Sequence, residues 1–173
     1  MKKILILSST LNSNLEMSNQ IKNFLDTKDN IISEVISLEQ FDLPLYTPSL
    51  EEKFKSNNSF PESIEKAKNV LIDSEAIIWC SPEYNGGISP IVTNTIAWIS
   101  RATEDWREAF NKKNVLICSS SGGNGKNFLK GFKIQLDYLG SMVTDGFIKT
   151  KKQDVEKEFF KKVLLDFYNK VIN

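Results

Sequence analysis

Three short runs of consecutive apolar residues constrain the fold of this chain more than any other feature. They are residues 4–7 (Ile-Leu-Ile-Leu), 76–80 (Ala-Ile-Ile-Trp-Cys) and 115–118 (Val-Leu-Ile-Cys). A strand with one face in water alternates apolar and polar residues, whereas a parallel strand that is covered on both faces is apolar throughout. The runs therefore predict central strands of a parallel sheet with helices on both of its faces.

Helical patterns alternate with these runs along the chain. Apolar residues at helical spacing predict helices around residues 17–25, 62–74, 91–100 and 126–139, and two further strands are expected at 31–37 and at 141–148, the latter interrupted at Gly146. Residues 41–61, rich in Pro, Ser and Asn, are expected to form a long loop. A final helix is predicted to face the core through a stripe at four-residue steps: Val155, Phe159, Val163, Phe167 and Val171.

Five β/α units without a linker or repeat predict one doubly wound domain over residues 1–173. Two architectures compete for this pattern, the dinucleotide-binding type and the flavodoxin-like type. The dinucleotide-binding type has a glycine-rich fingerprint after its first strand, but residues 8–14 (Ser-Ser-Thr-Leu-Asn-Ser-Asn) contain no glycine. We therefore predict a flavodoxin-like α/β fold, with a five-stranded parallel sheet in the order 2-1-3-4-5.

The composition of the chain limits its possible binding partners and catalytic mechanisms. The 22 basic and 22 acidic residues balance, which argues against nucleic-acid binding. The apolar runs are too short for a membrane span or a secretory signal, so we expect a cytoplasmic protein without a membrane partner. With no histidine and only two cysteines, the chain lacks Ser-His-Asp or Cys-His catalysis and has too few ligands for a structural zinc site. We therefore predict no metal site and no catalytic side chain, and we expect a bound cofactor to carry the chemistry.

The segment at residues 8–14 has a hydroxyl or amide side chain at six of its seven positions, and it leads into a helix. The free N–H groups and partial positive charge of a helix N-terminus suit a phosphate. Ser and Asn are also the usual helix caps, so capping is the competing interpretation. We favour a phosphate and predict that it is bound by Ser9, Thr10, Asn12, Ser13 and Asn14.

The segment at residues 82–90 joins the third strand to the next helix and concentrates Pro, Gly and Asn. Glycine allows a close approach of the backbone to a ligand, and proline stiffens the loop. For Asn85, a left-handed turn position and an amide presented to the ligand both remain open. The segment predicts a rigid cradle for a flat ligand, with contacts from Pro82, Glu83, Tyr84, Asn85 and Gly86. For Glu83 we favour the backbone as the contact, because loop carboxylates are usually solvated.

A third loop follows the fourth strand and again combines small residues with a helix start. Since the carboxyl ends of parallel strands share one sheet edge, we expect it to complete the same site. Its predicted contacts are Ser119, Ser120, Ser121, Gly122 and Gly123. Cys80 and Cys118 end the two neighbouring strands. We favour buried packing over a redox role for this pair of thiols.

Together these loops resemble the NADPH-dependent FMN reductase family. The specific part is residues 81–90 (Ser-Pro-Glu-Tyr-Asn-Gly-Gly-Ile-Ser-Pro), followed by Asn94, Trp98, Ser100 and Arg101; residues 42–46 (Asp-Leu-Pro-Leu-Tyr) and 121–123 are also similar. The resemblance implies bound FMN, with its phosphate in the first loop and its ring against the second and third. It further implies hydride transfer from NADPH or NADH through FMN to a small-molecule acceptor such as free flavin or a quinone, in a homodimer or homotetramer.

The first loop departs from the family pattern, because Leu11 stands where the family has an arginine. Loss of one charge-assisted hydrogen bond costs about 1.5–3 kcal/mol, so FMN phosphate binding is expected to be weaker. Two alternatives follow from the same residues. One is a flavodoxin-like electron carrier, or a flavin-binding protein, without NAD(P)H oxidase activity of its own. The other is a relative that has lost flavin binding.

Overall fold

A single parallel sheet lies at the centre of the computed structural model, which describes residues 1–150 and 157–173, with the backbone alone at 147–150 and 157. Its strands are β1 (Lys2–Ser8), β2 (Ile31–Ser37), β3 (Ala76–Cys80), β4 (Asn114–Ser121), β5 (Met142–Val143) and β6 (Phe147–Thr150). They are ordered β2-β1-β3-β4-β5, and β6 pairs with β4. Every pairing between these strands is parallel. The predicted parallel sheet with the order 2-1-3-4-5 is thus confirmed.

In the part of the chain that the structure describes, six α-helices surround the sheet. They are α1 (Ser13–Leu25), α2 (Pro48–Ser56), α3 (Glu62–Ile72), α4 (Pro90–Ala102), α5 (Lys126–Tyr138) and α6 (Lys157–Ile172). Alternate residues of each strand point to opposite faces. In β1, Ile4 and Ile6 pack with α1 and α6, while Leu5 and Leu7 pack with the layer of α3, α4 and α5. This two-sided burial explains why the central strands are apolar throughout. Within the described residues, no helix is long and apolar enough to cross a bilayer.

The predicted long loop at residues 41–61 is wrong in part, because α2 lies inside it. Thr47 caps this helix by accepting a hydrogen bond from the backbone N–H of Leu50 at 3.2 Å, and Pro48 occupies the first turn. Proline is favoured there, since its missing N–H would have no partner in the helix. α2 has only nine residues and none of them is fully buried, so its apolar face is short.

The interruption predicted at Gly146 is confirmed, since the outermost strand is divided into β5 and β6. β5 pairs with the start of β4, and β6 pairs with residues 118–121 at its end. A Cβ atom on Gly146, between the two strands, would lie 3.0 Å from the carbonyl oxygen of Ile117. Because β6 pairs with residues 118–121, β4 is longer than predicted. Residues 119–121 belong to the strand and not to the loop that follows it.

The apolar stripe of the last helix is confirmed only towards its C-terminus. Phe167 and Val171 are buried, but Phe159 is 51% exposed, so its prediction as a core position is wrong. An α-helix advances 100° per residue, so steps of four residues drift by about 120° over three steps. That drift carries Phe159 off the buried face. Val155 lies outside the described residues.

Candidate functional site

Three loops leave the sheet at the carboxyl ends of β1, β3 and β4, which are neighbours in the sheet. Two hydrogen bonds extend the ladder just beyond the strands. The N–H of Ser9 donates to the carbonyl of Cys80 at 2.9 Å, and the N–H of Ser81 donates to the carbonyl of Cys118 at 3.0 Å. The starts of the loops are thereby fixed side by side. We call residues 9–12 the first loop, 81–89 the cradle and 122–125 the third loop.

The structure brings the predicted site residues together at this one edge. Ser9, Thr10 and Asn12 lie in the first loop, Ser13 and Asn14 in the first turn of α1, Pro82, Glu83, Tyr84, Asn85 and Gly86 in the cradle, Ser119, Ser120 and Ser121 at the end of β4, and Gly122 and Gly123 in the third loop. Asn14 and Ser120 are 106 residues apart in the chain, yet both lie on this surface. Such a meeting of distant segments is expected at the edge of a doubly wound sheet.

Asn14 joins the first loop to the end of β4. Its Oδ1 accepts a hydrogen bond from the N–H of Ser120 at 2.9 Å, and its Nδ2 donates to the carbonyl of Ser120 at 3.1 Å. Nδ2 also lies 3.4 Å from Oγ1 of Thr10. The side chain is 1% exposed. Its amide is thus engaged with the protein backbone, and Asn14 acts here by holding two site segments together.

No side chain of the described residues caps the N-terminus of α1. Asn12 occupies the capping position, but its Oδ1 accepts a hydrogen bond from Oγ1 of Thr10 at 2.8 Å. The capping interpretation of the polar segment is therefore not realised for this helix. Leu11 is 58% exposed and contributes no charge. The N–H groups at the positive end of the α1 dipole therefore face the sheet edge, and the acidic residue of the first turn, Glu16, is exposed.

The cradle is shaped by a tight turn at Asn85 and Gly86. Both residues have positive φ, 50° and 76°, and the backbones of Tyr84 and Gly87 exchange hydrogen bonds of 3.2 and 2.9 Å. This is the geometry for which the Asn-Gly pair is preferred. Asn85 therefore occupies the left-handed position that the sequence had left open. The turn leaves the ring of Tyr84 49% exposed beside the site.

Glu83 connects the cradle to the third loop. Its Oε2 accepts a hydrogen bond from the N–H of Gly125 at 3.1 Å. The backbone of Gly125 has a φ of 66° and precedes α5, so the bond holds the chain just where the third loop becomes a helix. Sequence reasoning placed Glu83 in the site but favoured its backbone. The contact made by its carboxylate depends on tertiary structure that the sequence pattern does not reveal.

Three serine hydroxyls at this edge are buried without a hydrogen-bond partner among the described residues. They are the Oγ atoms of Ser9, Ser119 and Ser121. Most buried polar atoms in native proteins are paired, and an unpaired one costs about 1–3 kcal/mol. Three such hydroxyls next to an uncapped helix N-terminus fit a ligand with many hydrogen-bonding oxygens, such as the phosphate and ribityl chain of a flavin nucleotide.

The residues of the family motif that follow the cradle have a structural role. The carbonyl of Pro44 accepts hydrogen bonds from Nδ2 of Asn94 at 3.0 Å and from the indole N–H of Trp98 at 2.6 Å. Oδ1 of Asn94 accepts a further bond from the N–H of Tyr46 at 2.8 Å. α4 thereby fixes the segment after β2 near the cradle. The exposed Leu45, at 78%, is held in this segment.

Cys80 and Cys118 are aligned on adjacent strands, as predicted. Both are fully buried, and burial, together with a hydrogen bond between the two thiols, raises the pKa of Cys118 well above its usual range. A thiol held in its neutral form is a poor nucleophile. The environment therefore supports the packing role that the sequence favoured.

The parallel sheet has the strand order 2-1-3-4-5, and the three loops lie at its carboxyl edge, where such sheets bind ligands. These features define a flavodoxin-like α/β protein. Comparison with solved structures agrees. FerB of Paracoccus denitrificans, a flavoenzyme NAD(P)H:(acceptor) oxidoreductase, superposes with a TM-score of 0.77 at 16% identity, covering 99% of this chain and 98% of FerB. At that identity the likeness concerns the fold.

Sequence comparison defines the family. The model of the NADPH-dependent FMN reductases matches residues 1–153, so the chain belongs to this family. The uncharacterized protein MG342 homolog of Mycoplasma pneumoniae is 29% identical over 153 residues, covering 83% of this chain and 86% of that protein. The NADPH:quinone oxidoreductase of Arabidopsis thaliana is 31% identical over 83 residues, which are 48% of this chain and 38% of the plant protein.

Family membership confirms the fold, the class of enzyme and the cofactor that the sequence predicted. The chain is an NAD(P)H-dependent oxidoreductase that uses FMN. This assignment argues against the alternative of an electron carrier without NAD(P)H oxidase activity. The roles of the individual residues in the three loops remain predictions.

Proposed function

We propose that FMN binds across the three loops and that the enzyme passes hydride from NADPH or NADH to a quinone or a free flavin. The observation that carries the proposal is the set of unpartnered, buried hydroxyls of Ser9, Ser119 and Ser121 beside the uncapped N-terminus of α1. A quinone acceptor is supported by the plant relative, which is named a quinone oxidoreductase. When bound, FMN supplies the hydride chemistry that no side chain of this chain can supply.

The residues divide into a phosphate end and a ring end. We assign the phosphate to the N–H groups at the start of α1 and to Ser9, Thr10, Asn12 and Ser13, with Asn14 holding the first loop in place. The ring end consists of Pro82, Glu83, Tyr84, Asn85 and Gly86 with Gly122 and Gly123, while Ser119, Ser120 and Ser121 lie between the two ends. The rigid turn at Asn85 and Gly86 lowers the cost of ordering the cradle around a flat ring.

The serine hydroxyls permit a sharp test of the site. Because Oγ of Ser9 has no hydrogen-bond partner among the described residues, Ser9→Ala is expected to leave the thermal stability of the apoprotein unchanged or slightly higher. The same change is expected to weaken FMN binding about tenfold, since a hydrogen bond to a charged group is worth about 1.5–3 kcal/mol. FMN affinity is measured by the quenching of flavin fluorescence during titration.

Ser74→Ala is the matched control. Ser74 is equally buried, but its hydroxyl donates to the carbonyl of Leu71 at 2.8 Å, far from the sheet edge. This variant is expected to lose stability by about 1 kcal/mol and to bind FMN normally. If Ser9→Ala destabilises the apoprotein and binds FMN as the wild type does, the assignment of the phosphate end is wrong.

Turnover tests the reaction itself. Steady-state oxidation of NADPH and of NADH is measured with a soluble quinone or with free FMN as acceptor. Turnover with either acceptor supports the proposal. Bound FMN without turnover would instead indicate the electron carrier, and a protein that binds no FMN in titration would point to the relative that has lost its flavin.

We further propose that residues 1–173 form one domain that assembles as a homodimer or homotetramer in the cytoplasm. The exposed side chains of Leu45 and Tyr84, both close to the site edge, are suited to contact a second copy. Two free, buried cysteines fit a reducing compartment. Light scattering coupled to gel filtration tests the assembly, and a monomer at micromolar concentration would contradict it. Cell fractionation tests the location.

A further inference from the structure

The carboxylate of Glu83 lies between the cradle and the third loop, next to the backbone of Gly125 and of Gly123. On one side Oε2 accepts the hydrogen bond from the N–H of Gly125. On the other side, a Cβ atom added to Gly123 would lie only 2.7 Å from the same oxygen. The absence of a side chain at Gly123 therefore leaves the space that the carboxylate occupies.

The two loops differ in how well they are held without this contact. The cradle closes on itself through the mutual hydrogen bonds of Tyr84 and Gly87. The third loop is glycine-rich and exposed at residues 122–124, and its own side-chain bond at the start of α5 is local, from the N–H of Lys126 to Oδ1 of Asn124 at 3.0 Å. An anion next to the N-terminus of a helix is also favoured by the helix dipole. Glu83 thus ties the less constrained loop to the more constrained one.

We propose that Glu83 is a positioning residue that sets the spacing between the cradle and the third loop before FMN binds, and that Gly123 is required so that its carboxylate can do so. The proposal deepens the proposed FMN site and rests on it. The simpler interpretation, a solvated carboxylate on a loop, does not account for the bond to Gly125 or for the close approach to Gly123.

Four variants test the proposal. Glu83→Ala removes the acceptor, whereas Glu83→Gln retains an oxygen that can accept from Gly125. Gly123→Ala retains the carboxylate but displaces it. Gly131→Ala is the matched glycine control, because a Cβ atom on Gly131, in α5, meets no atom within 4 Å.

The first measurement uses apoprotein and needs no flavin. Hydrogen exchange of the Gly125 amide, followed by NMR, is expected to accelerate about tenfold or more in Glu83→Ala and in Gly123→Ala, since a charge-assisted bond is lost. Glu83→Gln and Gly131→Ala are expected to exchange within about threefold of the wild type. Unchanged exchange in Glu83→Ala overturns the proposal, whether or not the chain binds FMN.

The second measurement is FMN affinity in a double-mutant cycle. Glu83→Ala and Gly123→Ala are each expected to weaken binding about tenfold, Glu83→Gln to restore most of it, and the double variant to be no worse than either single variant. If the two losses add, Gly123 acts on the flavin independently of Glu83 and the proposal is wrong. A wild-type chain without FMN affinity would refute the proposed function, while the exchange data would still decide the role of Glu83.

Discussion

Replacement of Asn14 by alanine tests how the phosphate end is held together. The change removes the two hydrogen bonds between the Asn14 amide and the backbone of Ser120. Asn14 is 1% exposed and Ser120 is 5% exposed, so the freed N–H and carbonyl of Ser120 have little access to water. With about 1–3 kcal/mol for each unpaired group, partly relieved by local relaxation, we expect a loss of about 3 kcal/mol in the free energy of unfolding.

Urea unfolding of the apoprotein, followed by circular dichroism, measures this loss. The midpoint is expected to fall with an unchanged m-value, and the melting temperature is expected to drop by about 6–12 °C for a chain of this size. Asn23→Ala is the control, because Asn23 is an exposed residue of the same helix, and the change should stay within about 0.5 kcal/mol.

Asn14→Asp sharpens the test. An aspartate keeps an acceptor for the N–H of Ser120 but turns a second oxygen towards the carbonyl of Ser120, where Nδ2 now donates. It should therefore be no more stable than Asn14→Ala at neutral pH. A loss below about 1 kcal/mol for Asn14→Ala would refute the reasoning, because it would mean that the backbone of Ser120 finds other partners.

Two further predictions concern charge. Burial lowers the pKa of Lys113 to about 8, although nearby Glu75, Asp73 and Glu108 oppose the shift. The unfolded chain then binds more protons than the folded one between pH 8 and 10.5, so stability should rise by about 2 kcal/mol from pH 7 to 9.5. Lys113→Met should remove that rise in urea unfolding, and an equal rise in both proteins would exclude Lys113 as its source. At the exposed position 11, Leu11→Arg should strengthen FMN binding about tenfold at low salt and less at high salt, without stabilising the apoprotein. Titrations that show no gain in FMN affinity would mean that position 11 does not face the phosphate.

The sequence predicted the sheet well because its central strands carry a strong local signal. A strand buried on both faces must be apolar, and the runs at residues 4–7, 76–80 and 115–118 are each buried within β1, β3 and β4. The Asn-Gly turn was readable only in part, because the sequence left open whether Asn85 takes a left-handed position or presents its amide to a ligand. α2 was missed, since it is only nine residues long and packs without fully buried residues.

Contacts between distant segments were beyond the sequence pattern. An amide at position 14 looks like a ligand contact until Ser120, 106 residues away, is placed beside it. The same holds for Glu83, which reads as a solvated carboxylate until the N–H of Gly125 lies 3.1 Å away. Likewise, residues 119–121 read as a loop because their side chains are small and polar, although pairing with β6 makes them part of a strand. The error at residues 119–121 arises because strand pairing overrides local propensity, whereas the ligand contacts predicted for Asn14 and Glu83 stay predictions.

The hydrogen bonds between Asn14 and Ser120 also bear on the order of events during folding. A chain that has formed only its first two strands and α1 possesses the polar loop but not the strand end against which the loop is held. The proposed phosphate end is therefore completed only when β4 has been added to the sheet, after a loop of about 100 residues has closed. Contacts that form after the folding transition state act mainly on the rate of unfolding, and we expect these non-local contacts to belong to that class. The flavin nucleotide should consequently prolong the lifetime of the folded enzyme far more than it hastens its formation.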